Sequence, residues 1–396
     1  MQVCLLTNES EGSTHGGGSQ RTNMLLNSLK SSLGEGDDLE VIRVEFGSLD
    51  LLKSNTVKFL PFANDIEFSL HLVELMHSLT PLLTRILEKA VEADVIVLDS
   101  CYLSPLVMKV FEKYPEKRVI YLSHNYEIEL KTEIAELLHW PTTSRDLYLA
   151  FLRQMESEIV SHSSLTIACS PDDVQALQQF TQNKIVLVPN GANPRARTNQ
   201  SKEEICRYLG CDNYVLYVAS GHPPNIYGFL EGIGQDLGFV PPNKRVAIVG
   251  SASIYIEREI RGTKYEETFA NRASCISDAD DNLLNGLYQH SAAILLPIFT
   301  GGGTSIKSVE ALLSDRKVIA TSFAFRGFSL DIRHSDGVKI TDTPGDFRLA
   351  ARNALTQNEA TPHNRENVDN YTWDAIQVLA IEIFRDYFSN LERCER

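Results

Sequence analysis

The feature that most constrains the fold is the repeated alternation of short apolar runs with amphipathic segments. The first half of the chain has five such runs, which are Val3–Thr7, Ala93–Asp99, Arg118–His124, Leu165–Ser170 and Ile185–Pro189. Runs that are apolar throughout indicate strands buried on both faces, which is typical of parallel sheets. The segments between them have helical spacing, with one apolar face at Leu25, Leu29 and Leu33, and another at Leu72, Leu75, Leu79, Leu82, Leu83 and Ile86. The pattern predicts an α/β fold with a mainly parallel sheet.

The same alternation restarts after a polar, turn-rich stretch at Pro189–Gln200, which predicts a domain boundary. Five further runs follow, at Tyr214–Ser220, Arg245–Gly250, Ala292–Pro297, Lys317–Thr321 and Val338–Thr341. We therefore expect two doubly wound, Rossmann-like domains at residues 1–190 and 191–370, with a ligand in a cleft between them at the carboxyl ends of the strands. Residues 371–396 contain an amphipathic helix that places Ile376, Leu379, Ile383 and Tyr387 on one face.

Composition excludes several classes of protein. The chain has 396 residues and a net charge of -15, which argues against a nucleic-acid-binding protein because such proteins need a dominant basic face. Its seven cysteines form no CxxC pair, so a disulfide framework or zinc ribbon is not expected. No stretch is long and apolar enough for a transmembrane segment, although a local patch could still contact a membrane surface. The expectation is a cytoplasmic protein.

One short stretch, FTGGGTSIKSVEALL, combines a flexible turn, a cation and a carboxylate. Gly301–Gly303 lie between a buried strand and a predicted helix, and glycine lets a ligand approach the backbone closely. The first turn of a helix binds anions through free N–H groups, and Lys307 adds a positive charge to it. Glu310, on a neighbouring part of the same face, can accept hydrogen bonds from ribose hydroxyls. This arrangement suits a nucleoside diphosphate sugar. The alternative is a plain turn with a solvated lysine and glutamate, since neither a P-loop nor a GxGxxG fingerprint is present.

Six segments, in order along the chain, resemble the retaining GT-B glycosyltransferases of the group 1, or family 4, type. They are HGGGSQR, SHNYE, CSPDDVQAL with VPNGAN, VASGHPPNIYGF, the long segment LYQHSAAILLPIFTGGGTSIKSVEALLSDRKVIATSFAFRGF, and YTWD with the helix after it. The resemblance extends from about Met1 to Phe388. It implies a GT-B fold in which the first domain binds the acceptor, the second binds a nucleotide-sugar donor, and the C-terminal helix packs back on the first.

The resemblance also implies roles for individual residues. Glu310 corresponds to the last glutamate of the E-x7-E motif, which clamps the donor ribose, and Lys307 to the basic residue that faces the diphosphate. His124 corresponds to the active-site histidine near the transferred sugar. Residues expected at the donor are Gly17, Gly18, Gly301, Gly302, Gly303, Thr304, Ser305, Ile306 and Arg326. Residues expected on the acceptor side are Arg21, Asn125 and Glu127.

The chain departs from the family pattern at two places. The first glutamate of E-x7-E would fall at position 302, where this chain has Gly302, so backbone N–H groups would have to replace its contacts with the sugar. The loop GHPPNIYGF also lacks the arginine and lysine found there in the family. Lys307 is then the main cation, with Arg326 and Arg21 as possible helpers.

Other motifs favour simpler interpretations. Asp278–Asp280 has the form of a DxD metal motif, but its context is typical of a capped helix start with Ser277 or Asp278 as the N-cap. No other cluster has metal-ligand spacing, so we expect no catalytic metal and no cofactor besides the nucleotide sugar. Four glutamates, at positions 127, 129, 133 and 136, are most simply a solvated helical face.

The sequence thus predicts a metal-independent glycosyltransferase that moves a sugar from a nucleoside diphosphate to an acceptor hydroxyl with retention of configuration. The acceptor could be a glycan, a lipid-linked sugar or a small molecule. Two alternatives remain open, a GT-B nucleotide-sugar epimerase and a catalytically weak nucleotide-sugar binding protein, the latter because of Gly302.

Overall fold

The computed structural model describes residues 1–7, 9, 17–43, 87–357 and 368–394. The chain divides into two compact units, one formed by Met1–Pro189 with Ile376–Arg396 and the other by Asn190–Ala375. Each unit contains a six-stranded parallel sheet. The apolar face predicted within residues 72–86 lies outside the described residues, as do His15 and Gly16 of the first glycine loop.

Unit 1 alternates strands and helices along the chain. Its strands are β1 (Gln2–Thr7), β2 (Asp38–Arg43), β3 (Val95–Asp99), β4 (Arg118–Leu122), β5 (Leu165–Ala168) and β6 (Lys184–Leu187). Its helices are α1 (Gly17–Ser32), α2 (Ser104–Lys113), α3 (Glu127–Leu137), α4 (Thr142–His162) and α5 (Pro171–Leu177), with short 3-10 turns at Cys101–Leu103 and Gln178–Phe180. Residues 87–92 are helical as well.

The strand order of unit 1 places a switch point between β1 and β3. The order is β2-β1-β3-β4-β5-β6, so the chain moves to one side of β1 and then continues on its other side. At the carboxyl ends of these two strands Thr7 pairs in register with Asp99. Strand β3 is buried throughout, because helices cover both faces of the sheet. In open α/β sheets a crevice forms at such a switch point, and ligands bind there.

The C-terminal helix α14 (Trp373–Cys394) contributes its residues from Ile376 onward to unit 1. Its buried face consists of Ile376, Ala380, Phe384 and Phe388, which follow one another every four residues. The prediction that Leu379 belongs to this face is wrong, because that side chain is 37% exposed. Tyr387 lies beside the buried stripe, where its hydroxyl meets Ser164 Oγ at 2.5 Å.

Unit 2 has the same alternation. Its strands are β7 (Asn213–Val218), β8 (Lys244–Val249), β9 (Ala273–Ile276), β10 (Ile294–Leu296), β11 (Val318–Ala320) and β12 (Val338–Ile340). Its helices are α6 (Lys202–Leu209), α7 (Pro223–Gly228), α8 (Ala252–Ile260), α9 (Glu266–Arg272), α10 (Asp281–His290), α11 (Ile306–Leu313), α12 (Leu330–Arg333) and α13 (Pro344–Thr356). Three short turns complete it, a π-helical one at Phe229–Ile233 and 3-10 ones at Ser322–Phe325 and Asp369–Tyr371.

The sheet of unit 2 has its switch point between β7 and β10. The order is β12-β11-β10-β7-β8-β9, so β8 and β9 lie on one side of β7 and β10 to β12 on the other. The glycine-rich stretch follows β10 directly, and the loop GHPPN follows β7. The topology therefore brings the two loops that the sequence analysis singled out to one place.

Two strands were not predicted from the sequence, β2 and β9. Both lie at the edge of their sheet and pair with one neighbour only. An edge strand need not be apolar on every side, and five of the six residues of β2 are only partly buried. They therefore lack the continuous apolar run by which the other strands were recognised.

Among the described residues, no helix has both the length and the apolar composition that are needed to cross a membrane.

Gly228, at the end of α7, packs against the loop that follows β10. A Cβ at this position would lie 2.2 Å from the carbonyl oxygen of Pro297, which is far inside van der Waals contact. We expect Gly228→Ala to lower the free energy of unfolding by about 3 kcal/mol, as in other overpacked interiors. Denaturant unfolding measures this change. The matched control is Gly345→Ala, where a Cβ meets nothing within 4 Å. If both variants unfold like the parent protein, the close packing of α7 against this loop is contradicted.

Candidate functional site

The turn after β10, Gly301–Gly303, has a backbone that requires glycine. Gly301 has φ 133° and Gly303 has φ 62°, which are conformations that L side chains rarely adopt. Arg326 braces the turn, because its Nη2 donates to the carbonyl oxygen of Gly302. The same guanidinium donates from Nη1 to the carbonyl oxygen of Phe323 at 3.1 Å and lies 4.5 Å from the centre of the Phe323 ring. Arg326 therefore places a positive charge at the turn while holding its shape.

Helix α11 begins immediately after this turn. Ser305 is its N-cap, and the Ser305 hydroxyl accepts a hydrogen bond from the N–H of Ser308 at 3.3 Å. Within the described part of the chain, the amide N–H groups of Ile306 and Lys307 have no acceptor, as in the first turn of any helix. Thr304 is buried, and Asn190 bonds it twice, from its N–H to Oγ1 at 2.8 Å and from Nδ2 to the carbonyl oxygen at 2.9 Å. The N–H groups of Ile306 and Lys307 are thus available to a ligand, while Thr304 is held by Asn190.

Lys307 links α11, which follows β10, to α7, which follows β7. Its Nζ donates to Oδ1 of Asn225 at 2.6 Å, and Asn225 in turn donates from Nδ2 to the carbonyl oxygen of Ser220 at 2.9 Å. The pKa of Lys307 is lowered to about 8, mainly by burial; Glu310 opposes this shift and the charge of Arg326 adds to it. A partly buried cation with a lowered pKa gains stability when an anion binds beside it, so this position favours a phosphate ligand.

Glu310 lies one turn further along α11 and is already paired with a cation. Arg195 Nη2 donates to Glu310 Oε1 at 3.0 Å, and Arg195 Cζ lies 4.1 Å from the centre of the Tyr288 ring. Both partners of the ion pair remain about one fifth exposed, at 19% for Arg195 and 21% for Glu310. A ligand can therefore reach the carboxylate from solvent. We refer to Asn225, Lys307, Glu310, Arg326 and Arg195 as the unit 2 cluster.

Unit 1 has a second polar group at its own switch point. Asp99 is fully buried and receives three hydrogen bonds, from Thr7 Oγ1 at 2.6 Å, Thr22 Oγ1 at 2.9 Å and His124 Nε2 at 2.7 Å. Burial alone would raise the pKa of Asp99, but His124 and the two hydroxyls hold it below its usual value. Burial likewise opposes the charged form of His124, yet Asp99 raises the pKa of the imidazole. The neutral ring then carries its proton on Nε2 and offers Nδ1 as an acceptor.

The loop at residues 123–127, which carries His124, is held by buried carboxylates. Glu156 accepts the N–H groups of Glu127 at 3.1 Å and Ile128 at 3.3 Å, so it satisfies the start of α3. Asp173 accepts the N–H of Tyr126 at 2.9 Å. Burial, with Glu127 nearby, raises the pKa of Glu156 to about 8. The position of the loop is therefore set by several contacts from α4 and α5.

Two of the residues expected on the acceptor side lie at the end of this loop. Asn125 Nδ2 donates to Glu127 Oε1 at 3.1 Å. Glu127 is only 9% exposed, so its interpretation as part of a solvated helical face is wrong, whereas Glu129 and Glu136 are exposed as predicted. Glu127 faces inward because it begins α3 opposite Glu156.

The predicted donor loop around Gly17 and Gly18 lies against a carboxylate. A Cβ on Gly18 would lie 3.3 Å from Glu9 Oε1 and 3.7 Å from His124 Nδ1. The Ser19 hydroxyl donates to Glu9 Oε2 at 2.5 Å. Glu9 and His124 thus flank Gly18 at the N-terminal end of α1, and a side chain there would require the Glu9 carboxylate to move by a few tenths of an ångström. A carboxylate and an imidazole are better partners for the hydroxyl groups of a sugar than for the phosphates of the donor.

Arg21, which was expected to help with the diphosphate or the acceptor, lies in the interior of unit 1. Its side chain is 1% exposed, and Nη1 donates to the carbonyl oxygen of Val188 at 2.7 Å. Burial lowers the pKa of its guanidinium. This geometry favours a structural role, in which Arg21 connects α1 to the end of the last strand of the unit.

The segment Asp278–Asp280 caps a helix, as predicted. The capping residue is Asp280, whose side chain accepts the N–H of Leu283 at 2.7 Å, and not Ser277 or Asp278. The described residues contain no group of three His, Cys, Asp or Glu side chains that could hold a metal ion.

Sequence reasoning missed four residues of these sites: Glu9, Asp99, Asn225 and Arg195. Asp99 had a usable signal, because a carboxylate at the carboxyl end of a buried strand is a candidate site residue. Asn225 fills the loop where the family resemblance led us to look for an arginine or lysine. Arg195 lies in the polar stretch that was interpreted as a boundary, and nothing in its local sequence distinguishes it from its neighbours.

The chain is similar to known proteins in structure and not in sequence. No family model matches it, and no curated protein sequence matches it. Solved structures do. Sucrose-phosphate synthase from Thermosynechococcus elongatus is 15% identical, with a TM-score of 0.66, over 98% of this chain and 99% of that one. The catalytic domain of starch synthase IV from Arabidopsis thaliana, bound to ADP and acarbose, is 12% identical, with a TM-score of 0.61, over 98% and 99% of the two chains.

A third similar structure contains a nucleotide sugar. Anabaena HepE in complex with UDP-glucose is 14% identical, with a TM-score of 0.58, over 100% of both chains. At such identities the similarity concerns the fold, which therefore extends over nearly the full length of this chain.

Proposed function

We propose that this protein, which has the GT-B fold, is a glycosyltransferase that moves a sugar from a nucleoside diphosphate sugar to an acceptor hydroxyl. The similar structures include one with UDP-glucose and one with ADP, and this supports a nucleotide-sugar donor. The acceptor we propose is a glycan, a lipid-linked sugar or a small molecule.

The observation that carries the proposal is the unit 2 cluster at the switch point between β7 and β10. It combines the N–H groups at the start of α11 with the partly buried cation of Lys307, whose Nζ lies 2.6 Å from Asn225 Oδ1, and a second cation at Arg326. Diphosphates bind to helix N-termini in this way. Glu310, on the same helix and partly exposed, is placed to accept hydrogen bonds from ribose hydroxyls.

The reaction we propose retains the anomeric configuration. The acceptor oxygen forms a bond to the anomeric carbon while the bond from that carbon to the β-phosphate oxygen breaks. The electron pair of the broken bond stays on the phosphate oxygen, and that oxygen takes the acceptor's proton. Lys307 and the N–H groups of α11 stabilise the negative charge that develops there. We propose that these groups, with Arg326, supply the positive charge without a metal ion.

The groups in unit 1 fit the other part of this proposal. Glu9, His124 and Asn125 present carboxylate, imidazole and amide groups, which are the partners that sugar hydroxyls use. We assign them to the transferred sugar and the acceptor.

A binding screen tests the proposal. The full chain is tested by thermal shift and calorimetry with UDP-, GDP-, ADP- and TDP-sugars and with the free diphosphates. We expect one nucleotide to bind clearly, and at 100 times its dissociation constant to stabilise the protein by about 2.7 kcal/mol. Binding should be weaker in Lys307→Ala and unchanged in Lys339→Ala, which removes an exposed lysine of the same unit. No binding by any of these nucleotides would contradict the proposal.

Product analysis then separates transfer from the alternatives. With the donor that binds, transfer requires an acceptor and releases the nucleoside diphosphate. An epimerase would convert the donor with no acceptor present. A binding protein would leave the donor intact with every acceptor tested, and the absence of a side chain at Gly302 would then be the first feature to examine.

A further inference from the structure

The polar stretch at the start of unit 2 contributes to the donor site, although its sequence looks like a connection. Asn190 bonds Thr304 twice, and Arg195 bonds Glu310, so two residues of this stretch reach α11 and the turn before it. The partners are 114 and 115 positions apart in sequence. These contacts show that the stretch packs against α11 and the turn before it.

The position of Arg195 is fixed independently of Glu310. Its guanidinium lies 4.1 Å above the ring of Tyr288, a residue of α10 that is 3% exposed. Stacking of this kind orients the plane of the guanidinium, which limits the directions in which its N–H groups point. Arg195 is therefore a preoriented donor, and the carboxylate of Glu310 is held in the orientation that Arg195 selects.

The bond between them uses only one of the two carboxylate oxygens. Nη2 of Arg195 reaches Oε1 of Glu310 at 3.0 Å. A carboxylate accepts several hydrogen bonds, so Glu310 can bond Arg195 and still accept from a ligand. Both side chains are about one fifth exposed, which leaves the pair accessible from solvent.

We infer that Arg195 is a positioning residue for the ribose of the donor, acting through Glu310. This inference rests on the proposed function. Glu310 accepts the ribose 2′- and 3′-hydroxyls, and Arg195, stacked on Tyr288, keeps the carboxylate turned toward them. Arg195 itself touches neither the phosphates nor the sugar. Its contribution to binding therefore exists only when the ligand has those hydroxyls.

The experiment compares a ribonucleotide with its dideoxy analogue. UDP, ADP, GDP and TDP are first titrated into the wild-type full chain, and the one that binds is paired with the 2′,3′-dideoxynucleoside diphosphate of the same base. In Arg195→Gln, which keeps a long side chain on Tyr288, we expect the affinity for the ribonucleotide to fall about tenfold, as for loss of one charge-assisted hydrogen bond. The affinity for the dideoxy analogue should change less than twofold. Arg195→Lys should recover part of the loss.

Two further variants sharpen the comparison. Arg197→Gln is the matched control, because it removes the same charge from an exposed position two residues away. In Glu310→Gln the additional change Arg195→Gln should have almost no effect, since the pair acts as a unit.

Each outcome decides between the alternatives. An equal loss for the ribonucleotide and the dideoxy analogue would mean that Arg195 contacts the phosphates or supports the fold, and would overturn the inference. So would an unchanged affinity, or full additivity with Glu310→Gln. If no nucleotide binds the wild-type chain, the proposed function itself fails, and the inference fails with it. The absence of binding to the wild-type chain is distinguishable from nucleotide binding whose affinity does not change in Arg195→Gln.

Discussion

Replacing Lys307 by alanine is expected to lower the rate of sugar transfer by about 10²- to 10³-fold, as removal of one preorganised donor does at other sites of developing charge. Lys307 is the only lysine in the unit 2 cluster, and Asn225 directs its Nζ at 2.6 Å. Alanine removes the full charge and leaves the amides of α11 in place. The loss should appear in kcat as well as in kcat/KM, because the charge on the leaving phosphate is larger in the transition state than in the bound donor.

The lowered pKa of Lys307 gives this prediction a second, independent test. Above pH 8 the free protein loses the proton on Lys307, whereas a bound diphosphate favours the protonated form. Binding then takes up a proton, so the dissociation constant should rise as the pH is raised from about 8, approaching tenfold per pH unit. The stability of the free protein should increase over the same pH range, while the affinity for the diphosphate falls. The unfolded chain binds more protons than the folded one between about 8 and the ordinary lysine pKa of 10.5, so unfolding becomes harder as the pH rises through that range.

The measurements are steady-state kinetics, and calorimetric titration of the diphosphate from pH 7 to 9.5. Lys307→Arg serves as the pH control, because a guanidinium stays charged throughout, and Lys339→Ala controls for the loss of a lysine elsewhere in the unit. Transfer by Lys307→Ala at the wild-type rate would remove Lys307 from the mechanism. An affinity that does not change with pH in the wild-type protein would show that another group binds the phosphates.

Replacing Asp99 by asparagine is expected to lower the transfer rate about a hundredfold, although Asp99 is fully buried. Asp99 accepts from two threonines on Oδ2 and from His124 on Oδ1. Asparagine has one carbonyl oxygen, so its amide group must face either the threonines or the imidazole. If the oxygen keeps the two threonines, the amide donates to Nε2, and the imidazole proton moves to Nδ1, the nitrogen near Gly18. A small misplacement of one reacting group costs a factor of this size.

The tautomer of His124 distinguishes a change in the imidazole from a general loss of structure in Asp99→Asn. Nitrogen chemical shifts of His124 should report Nε2–H in the wild-type protein and Nδ1–H in Asp99→Asn, and the pKa of the imidazole should fall when the carboxylate is lost. The matched control is Asp94→Asn, at the opposite end of the same strand, where the carboxylate accepts from the exposed N–H of Gln2. Should Asp99→Asn invert the tautomer and leave transfer intact, His124 would have no part in the reaction. His124→Ala should be at least as impaired as Asp99→Asn, while His162→Ala, at an exposed position, should not be impaired.

The sequence allowed the fold class and most of the strands to be predicted. Runs such as Val95–Leu98 are apolar on every residue because both faces of a parallel sheet are covered, and this leaves a local signal. Strand β2, at the edge of its sheet, has no such signal, because five of its six residues are only partly buried. Helix faces were predicted less well. The α14 face was displaced by one residue, from Leu379 to Ala380, since a small side chain can line a close contact as well as a large one.

The candidate site also has a part that the local sequence predicts and a part that it does not. The sequence by itself determined the glycine turn and the helix after it, because positive φ at Gly301 and the N-cap at Ser305 depend on neighbouring residues only. Only the tertiary structure decided which side chains meet there. Asn225 and Lys307 are 82 positions apart, and Arg195 and Glu310 are 115 apart, so no spacing along the chain relates them. Asn225 and Lys307 come together because the strand order places β10 beside β7, and a parallel sheet brings the loops after neighbouring strands to one edge.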